Sequence, residues 1–176
     1  MAFHLSTSRL ILREWRDADL APFAQLNADP EVMEHFPKTL SRQESDGFAA
    51  AIKARMARHG FGLWAVERQD TGDFIGYVGF NQPSFQADFE PCVEIGWRLA
   101  RTHWGQGFAS EAAKACLDWG ATRFKTLPIV SFTIPANRRS RRVMETIGLR
   151  YERDFIHPNL RLDPRMGPHV LYRWPG

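Results

Sequence analysis

The sequence predicts an α+β fold in which helices flank one mixed, mostly antiparallel sheet of about six or seven strands. Three strand-like runs between residues 62 and 99 are joined by short connections. Such connections favour antiparallel pairing, because a parallel crossover needs a dozen or more residues. A strand, a helix and a strand then surround a glycine-containing loop near residue 105, an order typical of parallel pairing. The chain length of 176 residues predicts a single domain that covers residues 1–176.

The first sixty residues are predicted to form one strand and two helices. The apolar run Leu10–Arg13 predicts the first strand, and a pair of aspartates after it offers N-terminal caps for a helix that ends near Pro30. Ser41 and Glu44 have the spacing of a capping box, in which each side chain bonds the other residue's backbone N–H. They predict the start of a second helix, which Gly60 ends.

The middle of the chain changes to a period of two residues. Residues 62–67 and 74–80 are apolar runs separated by a turn-rich segment, and they predict two paired strands. Residues 93–99 alternate between apolar and polar or small side chains over seven positions, which predicts a further strand. Gly96 lies inside this strand and indicates a β-bulge or a close backbone approach.

The C-terminal third is predicted to alternate helices and strands. An apolar stripe at helical spacing runs from Phe108 to Trp119 and predicts a helix that ends at Gly120. The remaining elements are, in chain order, a strand at 129–134, a helix at 138–146, and strands at 149–155 and 169–174.

The segment 101–112 carries the most specific chemical signal. Gly105 and Gly107 stand one residue apart, between a predicted strand and a predicted helix. Glycines let the backbone approach an anion, and the first turn of a helix adds unpaired N–H donors and a positive dipole end. This order predicts a phosphate cradle. A dinucleotide fingerprint is excluded because Ser110 occupies the position of its third glycine, and the Lys-Ser/Thr pair of a P-loop is missing.

The charge distribution agrees with an anionic ligand at this loop. Residues 1–100 carry 10 basic and 14 acidic side chains, a net of −4, whereas residues 101–154 carry 10 and 5, a net of +5. The positive excess therefore collects around and after the loop. The basic cluster 138–142 is a competing signal for nucleic acid, but no DNA- or RNA-binding signature accompanies it, so nucleic acid is not expected as the primary ligand.

Other protein classes are disfavoured by composition. No apolar run approaches 18 residues, so neither a transmembrane helix nor a membrane partner is expected. Cys92 and Cys116 make neither a disulfide framework nor a metal site, and no metal is expected. A reducing, cytoplasmic location follows as the default.

Four motifs in order resemble the GNAT acetyltransferases, particularly the ribosomal-protein alanine N-acetyltransferase branch. They are residues 5–13 (LSTSRLILR), 94–99 (EIGWRL), 104–112 (WGQGFASEA) and 137–148 (NRRSRRVMETIG). The resemblance covers nearly the whole chain and implies one acetyltransferase domain that uses acetyl-CoA as co-substrate. It also implies that acetyl-CoA lies where the fourth and fifth predicted strands splay apart, with its pyrophosphate on the glycine loop.

The resemblance assigns cofactor-binding positions residue by residue. Asn137 would hydrogen-bond the cofactor arm, although it can equally cap the helix that begins at Arg138. The family's loop usually begins with Gln or Arg where this chain has Thr102, which removes one phosphate-binding side chain and leaves the backbone cradle intact. The residues beside the pantetheine would be Trp97, Arg98 and Leu99, of which Trp97 is as easily a core residue. The pyrophosphate loop would comprise Thr102, His103, Trp104, Gly105, Gln106, Gly107, Phe108, Ala109 and Ser110.

Two residues are candidates for catalysis. Glu94 alternates away from its apolar neighbours on the strand that should line the cleft, and it would act as the base, directly or through a water; its alternative is a surface or salt-bridged glutamate. Ser140 matches a family position near the thioester sulfur that protonates the leaving thiolate; its alternative is a solvated serine in the first turn of a helix. His157 and His169 fall where an acceptor would enter, and a polar core role is favoured for both.

The predicted reaction is direct transfer of the acetyl group from acetyl-CoA to a primary amine. The acceptor is either a protein N-terminal α-amine or a small-molecule amine, and the sequence does not separate them. A monomer or a homodimer is expected. The alternative function is a catalytically silent domain that binds or senses acyl-CoA.

Overall fold

The computed structural model describes residues 3–176 as an eight-stranded sheet with four α-helices. The strands are β1 (His4–Ser6), β2 (Leu10–Arg13), β3 (Leu63–Arg68), β4 (Phe74–Asn81), β5 (Val93–Leu99), β6 (Ile129–Thr133), β7 (Arg150–Ile156) and β8 (Pro168–Arg173). The helices are α1 (Leu20–Ala28), α2 (Arg42–His59), α3 (Phe108–Arg123) and α4 (Arg138–Thr146). Short 3₁₀ turns lie at Asp17–Asp19, Arg101–His103 and Pro158–Leu160.

The strand order is β1-β2-β3-β4-β5-β6-β8-β7, and every neighbouring pair is antiparallel except β5 and β6. This confirms the predicted mixed, mostly antiparallel sheet and the place of its parallel pair. The strand count is slightly higher than predicted, because residues 4–6 pair with β2 as a separate strand. A run of three residues is too short for a periodic pattern to be recognised.

The parallel pair is short, and its two strands then separate. β5 and β6 are in register only at Val93 with Ile129 and at Glu94 with Val130. Beyond these pairs the later residues of β5 have their backbone partners on β4 alone. The divergence opens a cleft between β5 and β6 at the end of the sheet that leads into α3.

Helix α2 begins and ends as the sequence predicts. The Ser41 hydroxyl accepts a hydrogen bond from the Glu44 N–H at 3.2 Å, and the Glu44 carboxylate accepts one from the Ser41 N–H at 2.8 Å. Gly60 then takes the left-handed conformation at φ 71°, and its N–H donates to the Met56 carbonyl. These contacts satisfy backbone groups that the helix itself leaves free at its two ends.

The side chains of β5 divide between the two faces of the sheet. Arg98 contacts the rings of Phe36 and Phe48, so it points to the face that α1 and α2 cover. Glu94 and Gly96 share that face, because alternate residues of a strand point the same way. The residues of β5 that pack in the core on the α3 side are Val93, Ile95 and Leu99.

The β-bulge predicted at Gly96 is not found there. The register between β4 and β5 is continuous through Gly79 and Gly96, and the register shift in this part of the sheet lies between Val66 and Glu67 of β3. A Cβ atom built at Gly96 would have no atom within 4 Å. Gly96 therefore leaves open space above β5 instead of admitting another protein backbone.

Helix α3 continues past Gly120 to Arg123, although the sequence predicted that it ends at this glycine. A Cβ atom at Gly120 would lie 2.9 Å from one ring carbon of Phe80 and closer still to another. Phe80 is 1% exposed and has no room to move away. Gly120 is therefore a site of close helix–sheet packing, which a glycine in a helical pattern does not reveal by itself.

We expect Gly120→Ala to lower the free energy of unfolding. Alanine in a helix is favoured over glycine by about 1 kcal/mol, but overpacking a full core costs roughly 1–3 kcal/mol, so the clash should dominate. Gly47 of α2 provides the matched control, because a Cβ atom there meets nothing within 4 Å. Gly47→Ala should raise the unfolding free energy in the same urea titration. Equal stabilisation by both substitutions would contradict the packing argument.

Candidate active site

A cavity of about 830 Å³ lies where β5 and β6 diverge. This volume is within the range of small-molecule and cofactor sites. Its walls come from β5, from the loop that enters α3, from α4, and from residues 31–37 between α1 and α2. The lining also includes residues of α2, β3, β4 and β6 and the histidines His157 and His169.

The glycine loop forms the end of the cavity nearest α3. Gly105 and Gly107 have φ values of 72° and 81°, which lie in the left-handed region that side chains rarely adopt. Gly107 is the N-cap residue of α3, and no side chain caps the helix there. The first N–H groups of a helix lack partners within it, so those that follow Gly107 are available to an anion. The geometry is that of a phosphate cradle.

The loop is held in place by the segment that precedes β2. The Glu111 carboxylate accepts hydrogen bonds from the Thr7 hydroxyl at 2.6 Å, the Arg9 N–H at 3.0 Å and the Arg9 Nε at 2.6 Å. The Arg9 guanidinium also donates to the Gln106 carbonyl at 3.0 Å. Glu111 therefore anchors the N-terminal segment to the first turn of α3, and Arg9 braces the loop itself.

Most of the predicted cofactor-binding residues meet at this cavity. Those that line it are Trp97, Arg98, Leu99, His103, Trp104, Gly105, Gly107, Phe108, Ala109, Ser110 and Asn137, together with Glu94 and Ser140.

Thr102 and Gln106 do not line the cavity, and their part in the pyrophosphate loop stays a prediction. Both are exposed, and the Gln106 side-chain amide donates to the Thr102 carbonyl at 3.1 Å. This side-chain contact closes the outer side of the loop, and the glycines on either side of Gln106 take the left-handed conformation.

His103 and Trp104 line the cavity from the 3₁₀ turn. The Trp104 indole donates to the Leu99 carbonyl at 2.9 Å, and the Arg139 guanidinium lies 4.3 Å from the centre of a Trp104 ring. Burial lowers the pKa of His103, and the charge of nearby Arg68 adds to the effect. His103 is therefore a neutral ring at pH 7 that offers a hydrogen bond rather than a positive charge.

Asn137 caps helix α4, which was one of its two predicted roles. Its side-chain oxygen accepts a hydrogen bond from the Ser140 N–H at 3.1 Å, and its nitrogen donates to the Thr133 hydroxyl at 3.0 Å. These contacts fix the start of α4 against the end of β6 and hold Ser140 at the cavity. A hydrogen bond from Asn137 to the cofactor arm stays a prediction.

Glu94 reaches the cavity from the α1–α2 face of β5. It stands opposite Asn81 of β4, and burial raises the pKa of Glu94 to about 7, with an opposing contribution from an Asn81 hydrogen bond. A carboxylate with this pKa accepts a proton readily at neutral pH. The geometry thus allows base chemistry at Glu94 rather than a salt-bridged surface role, since within residues 3–176 no cation pairs with it.

Neither cysteine is placed to act as a nucleophile. Both are buried, and neither lines the cavity. Burial raises the pKa of the Cys92 thiol to about 11 and also raises that of Cys116. Because the thiolate is the reactive form, both side chains are unreactive at neutral pH.

His157 and His169 form an aromatic wall of the cavity. Their ring centres are 5.1 Å apart, and the ring centre of Phe132 lies 6.0 Å from each of them. Burial lowers the pKa of His169 to about 4, so the ring is neutral at pH 7. His169 is buried and His157 is half-buried, so both are polar groups packed into the wall, as the sequence favoured.

Among residues 3–176, no helix is long and apolar enough to cross a membrane. The same residues hold no group of three or more His, Cys, Asp or Glu side chains arranged to bind a metal ion.

Comparison with known proteins gives a consistent result. A family model described as an acetyltransferase (GNAT) domain matches residues 9–150. The uncharacterized protein YkkB of Bacillus subtilis (strain 168) is 34% identical over 150 residues, which are 85% of this chain and 86% of that protein. An acetyltransferase (GNAT family) from Bacillus anthracis has a TM-score of 0.80 at 24% identity, with 97% of both chains covered. Mycobacterium smegmatis RimJ in complex with CoA-disulfide has a TM-score of 0.74 at 22% identity, covering 98% of this chain and 85% of its own.

Proposed function

The chain belongs to the GNAT acetyltransferase family, and on that premise we propose that it transfers the acetyl group of acetyl-CoA directly to a primary amine. One observation carries this proposal: a single cavity is lined both by the glycine loop at the start of α3 and by Glu94 on β5. A donor anchored by its pyrophosphate can extend its thioester from the cradle along the gap between β5 and β6. The acceptor then approaches from the α1–α2 face.

The cradle suits the pyrophosphate of acetyl-CoA. Backbone N–H groups at Gly105 to Ser110 and the positive end of the α3 dipole would contact the phosphate oxygens. The later residues of β5 have free edges toward the gap, because β6 has already diverged. Trp97 to Leu99 would therefore lie beside the pantetheine. RimJ, which shares this fold, is described in complex with CoA-disulfide, and that supports the same ligand here.

Glu94 is proposed to take the proton from the acceptor amine, directly or through a water. Deprotonating a lysine amine at pH 7 costs roughly 4–5 kcal/mol, whereas an α-amine costs only about 1–1.4 kcal/mol. A carboxylate with a pKa of about 7 is a sufficient base for an α-amine. Once the amine nitrogen is neutral, it attacks the thioester carbonyl, and the proton it gave up stays on Glu94, whether it passed there directly or through a water. The nitrogen loses its second proton as the carbon–sulfur bond breaks, and this proton balances the one that the leaving thiolate takes up.

Ser140 is proposed to protonate the leaving thiolate. It lines the cavity at the start of α4, where the Asn137 cap holds the backbone in place. A thiol with a pKa near 8.5 needs only modest help from an acid, so the expected contribution of Ser140 is smaller than that of Glu94.

We expect Ser140→Ala to lower kcat by about tenfold and to leave the Kd for acetyl-CoA within about twofold. The hydroxyl would act on the thiolate that forms during the reaction and would contribute little to the binding of intact acetyl-CoA. Steady-state thiol release gives kcat, and calorimetry gives the Kd. An unchanged kcat would remove Ser140 from the mechanism.

The proposed function is tested by thiol release from acetyl-CoA with a panel of amines that includes peptide N-termini and small molecules. Release that depends on the amine would support acetyl transfer. Tight acetyl-CoA binding with no release on any amine would instead indicate a silent acyl-CoA-binding domain.

Three broader expectations accompany this proposal. Residues 1–176 act as one acetyltransferase domain, which works as a monomer or a homodimer. The cysteine content favours a cytoplasmic location.

A further inference from the structure

Arg98 is a buried cation without an anionic partner, and it lines the proposed active-site cavity. The residue is 8% exposed, and no carboxylate among residues 3–176 forms an ion pair with it. Its Nε is buried without a hydrogen-bond partner. Buried charges in proteins are usually paired, because an unpaired one loses its hydration without compensation. An unpaired guanidinium at a cavity therefore points to an anion that is supplied from outside the chain.

Neutral groups hold the Arg98 guanidinium in one position. Its Nη1 donates to the Asn27 side-chain oxygen at 2.6 Å, and the Asn27 nitrogen donates in turn to the Ser45 hydroxyl at 2.9 Å. Asn27 and Ser45 are both 0% exposed. The Phe36 ring lies 3.9 Å from the guanidinium carbon. These contacts orient the cation without neutralising it, which is the condition for charge-assisted binding of a carboxylate.

The other charges of the cavity strengthen this assignment. The lining contains two carboxylates, Glu31 and Glu94. Glu31 pairs with Arg101 at 2.8 Å, and Glu94 is the proposed base. Arg55 of α2 also lies in the lining, whereas His35 adds no charge at pH 7 because burial lowers its pKa. A cationic acceptor would meet more positive than negative groups there, whereas an anionic group would be attracted.

Arg98 and Glu94 lie on the same face of β5, on the two sides of Gly96. The two residues point to the same face of β5 and stand four residues apart, roughly 13 Å between their Cα atoms at the usual rise of a strand. Gly96 lies midway and leaves the space above it open. An acceptor lying over Gly96 can place its amine toward Glu94 and a negative group toward Arg98.

We propose that the acceptor is a small amine that also carries a carboxylate, as an amino acid does, and that Arg98 binds this carboxylate. The inference rests on the proposed function and deepens it, because it names the class of amine. Arg98 is then a specificity-determining residue that contacts the substrate, and its role lies in recognition rather than in proton transfer.

The test compares free L-amino acids with their amides, as matched pairs such as leucine with leucinamide and phenylalanine with phenylalaninamide. Thiol release is measured at a saturating acetyl-CoA concentration. The amide has the less basic amine, so intrinsic reactivity at a fixed pH favours the amide. We expect the wild-type protein to reverse this order, with kcat/KM at least tenfold higher for the acid.

Arg98→Met should bring the ratio of kcat/KM for the acid to kcat/KM for the amide to one or below; the ratio is the readout because it is taken at saturating acetyl-CoA and does not depend on the affinity for the donor. Arg98→Lys keeps the charge and should retain part of the preference. Arg58→Met on the exposed surface of α2 is the control, and its acid-to-amide ratio of kcat/KM should equal that of the wild type. A structural role for Arg98 would lower both activities together and leave their ratio unchanged.

The outcomes separate this inference from the proposed function. Equal or faster acetylation of the amides, or acetylation of peptide N-termini alone, would overturn the inference while acetyl transfer stands. Acetyl-CoA binding with no transfer to any amine would overturn the proposed function and the inference with it. If Arg98→Met does not fold, the wild-type ratio for each matched pair still decides.

Discussion

Replacing Gly107 with aspartate is expected to weaken acetyl-CoA binding at least about 100-fold. The new carboxylate would stand at the N-cap position of α3, beside the proposed pyrophosphate site. Two like unit charges 4 Å apart near a protein surface repel by about 4 kcal/mol, which corresponds to roughly a thousandfold in affinity, and screening reduces this figure. A non-glycine residue at φ 81° adds about 1–2 kcal/mol of backbone strain.

Gly107→Asn separates the charge from the strain. Asparagine has nearly the shape of aspartate and tolerates the left-handed conformation, but it carries no charge. Its effect on the Kd for acetyl-CoA, measured by calorimetry, should be several-fold at most. A Cβ atom at this position would lie 3.4 Å from Arg9, which is already paired with Glu111. Equal affinity of wild type and Gly107→Asp would overturn the assignment of this loop.

Glu94→Gln is expected to lower kcat/KM by about 10²–10⁴-fold, the usual contribution of a general base. Glutamine keeps the size and hydrogen-bonding ability of the side chain but accepts no proton at neutral pH. Acetyl-CoA affinity should change little, because Glu94 faces the α1–α2 side of β5 rather than the cradle. Wild-type turnover in Glu94→Gln would exclude this residue as the base.

The pH dependence gives a second readout of the same residue. Burial raises the pKa of Glu94 to about 7, so the carboxylate form is lost as the pH falls through 7. The wild-type kcat/KM should therefore fall below pH 7. The acceptor amine also titrates, but the same amine contributes equally in both proteins. The fall of kcat/KM below pH 7 should be present in the wild type and missing in Glu94→Gln. A fall that persists in Glu94→Gln would belong to another titrating group.

The elements that the sequence predicts well are those whose cause is local. Ser41, Glu44 and Gly60 fix the two ends of α2 through contacts within a few residues. The meander of β3, β4 and β5 follows from short connections and alternation. The left-handed glycines of the loop follow from their position between a strand and a helix. In each case the residue pattern and its physical reason lie in the same segment.

The features that the sequence did not predict depend on distant residues. Glu111 and the Arg9 N–H are 102 positions apart, so the brace beneath the glycine loop leaves no periodic signal. The close contact between Gly120 and Phe80 requires the packing of α3 on β4. The buried environment of Arg98 likewise arises when Asn27 of α1 and Phe36 come against β5. The sequence placed Arg98 on the correct strand, and its side-chain partners came only with the tertiary structure.

A crystal structure with bound acetyl-CoA would show whether the glycine loop holds the pyrophosphate. The proposed function predicts pyrophosphate oxygens about 2.7–3.2 Å from backbone nitrogens of Gly105 to Ser110, the ordinary hydrogen-bond distance. It also predicts the thioester in the gap between β5 and β6, with its carbonyl open to the face that carries Glu94 and Arg98. A pyrophosphate bound away from the start of α3, or a thioester on the opposite side of β5, would contradict it.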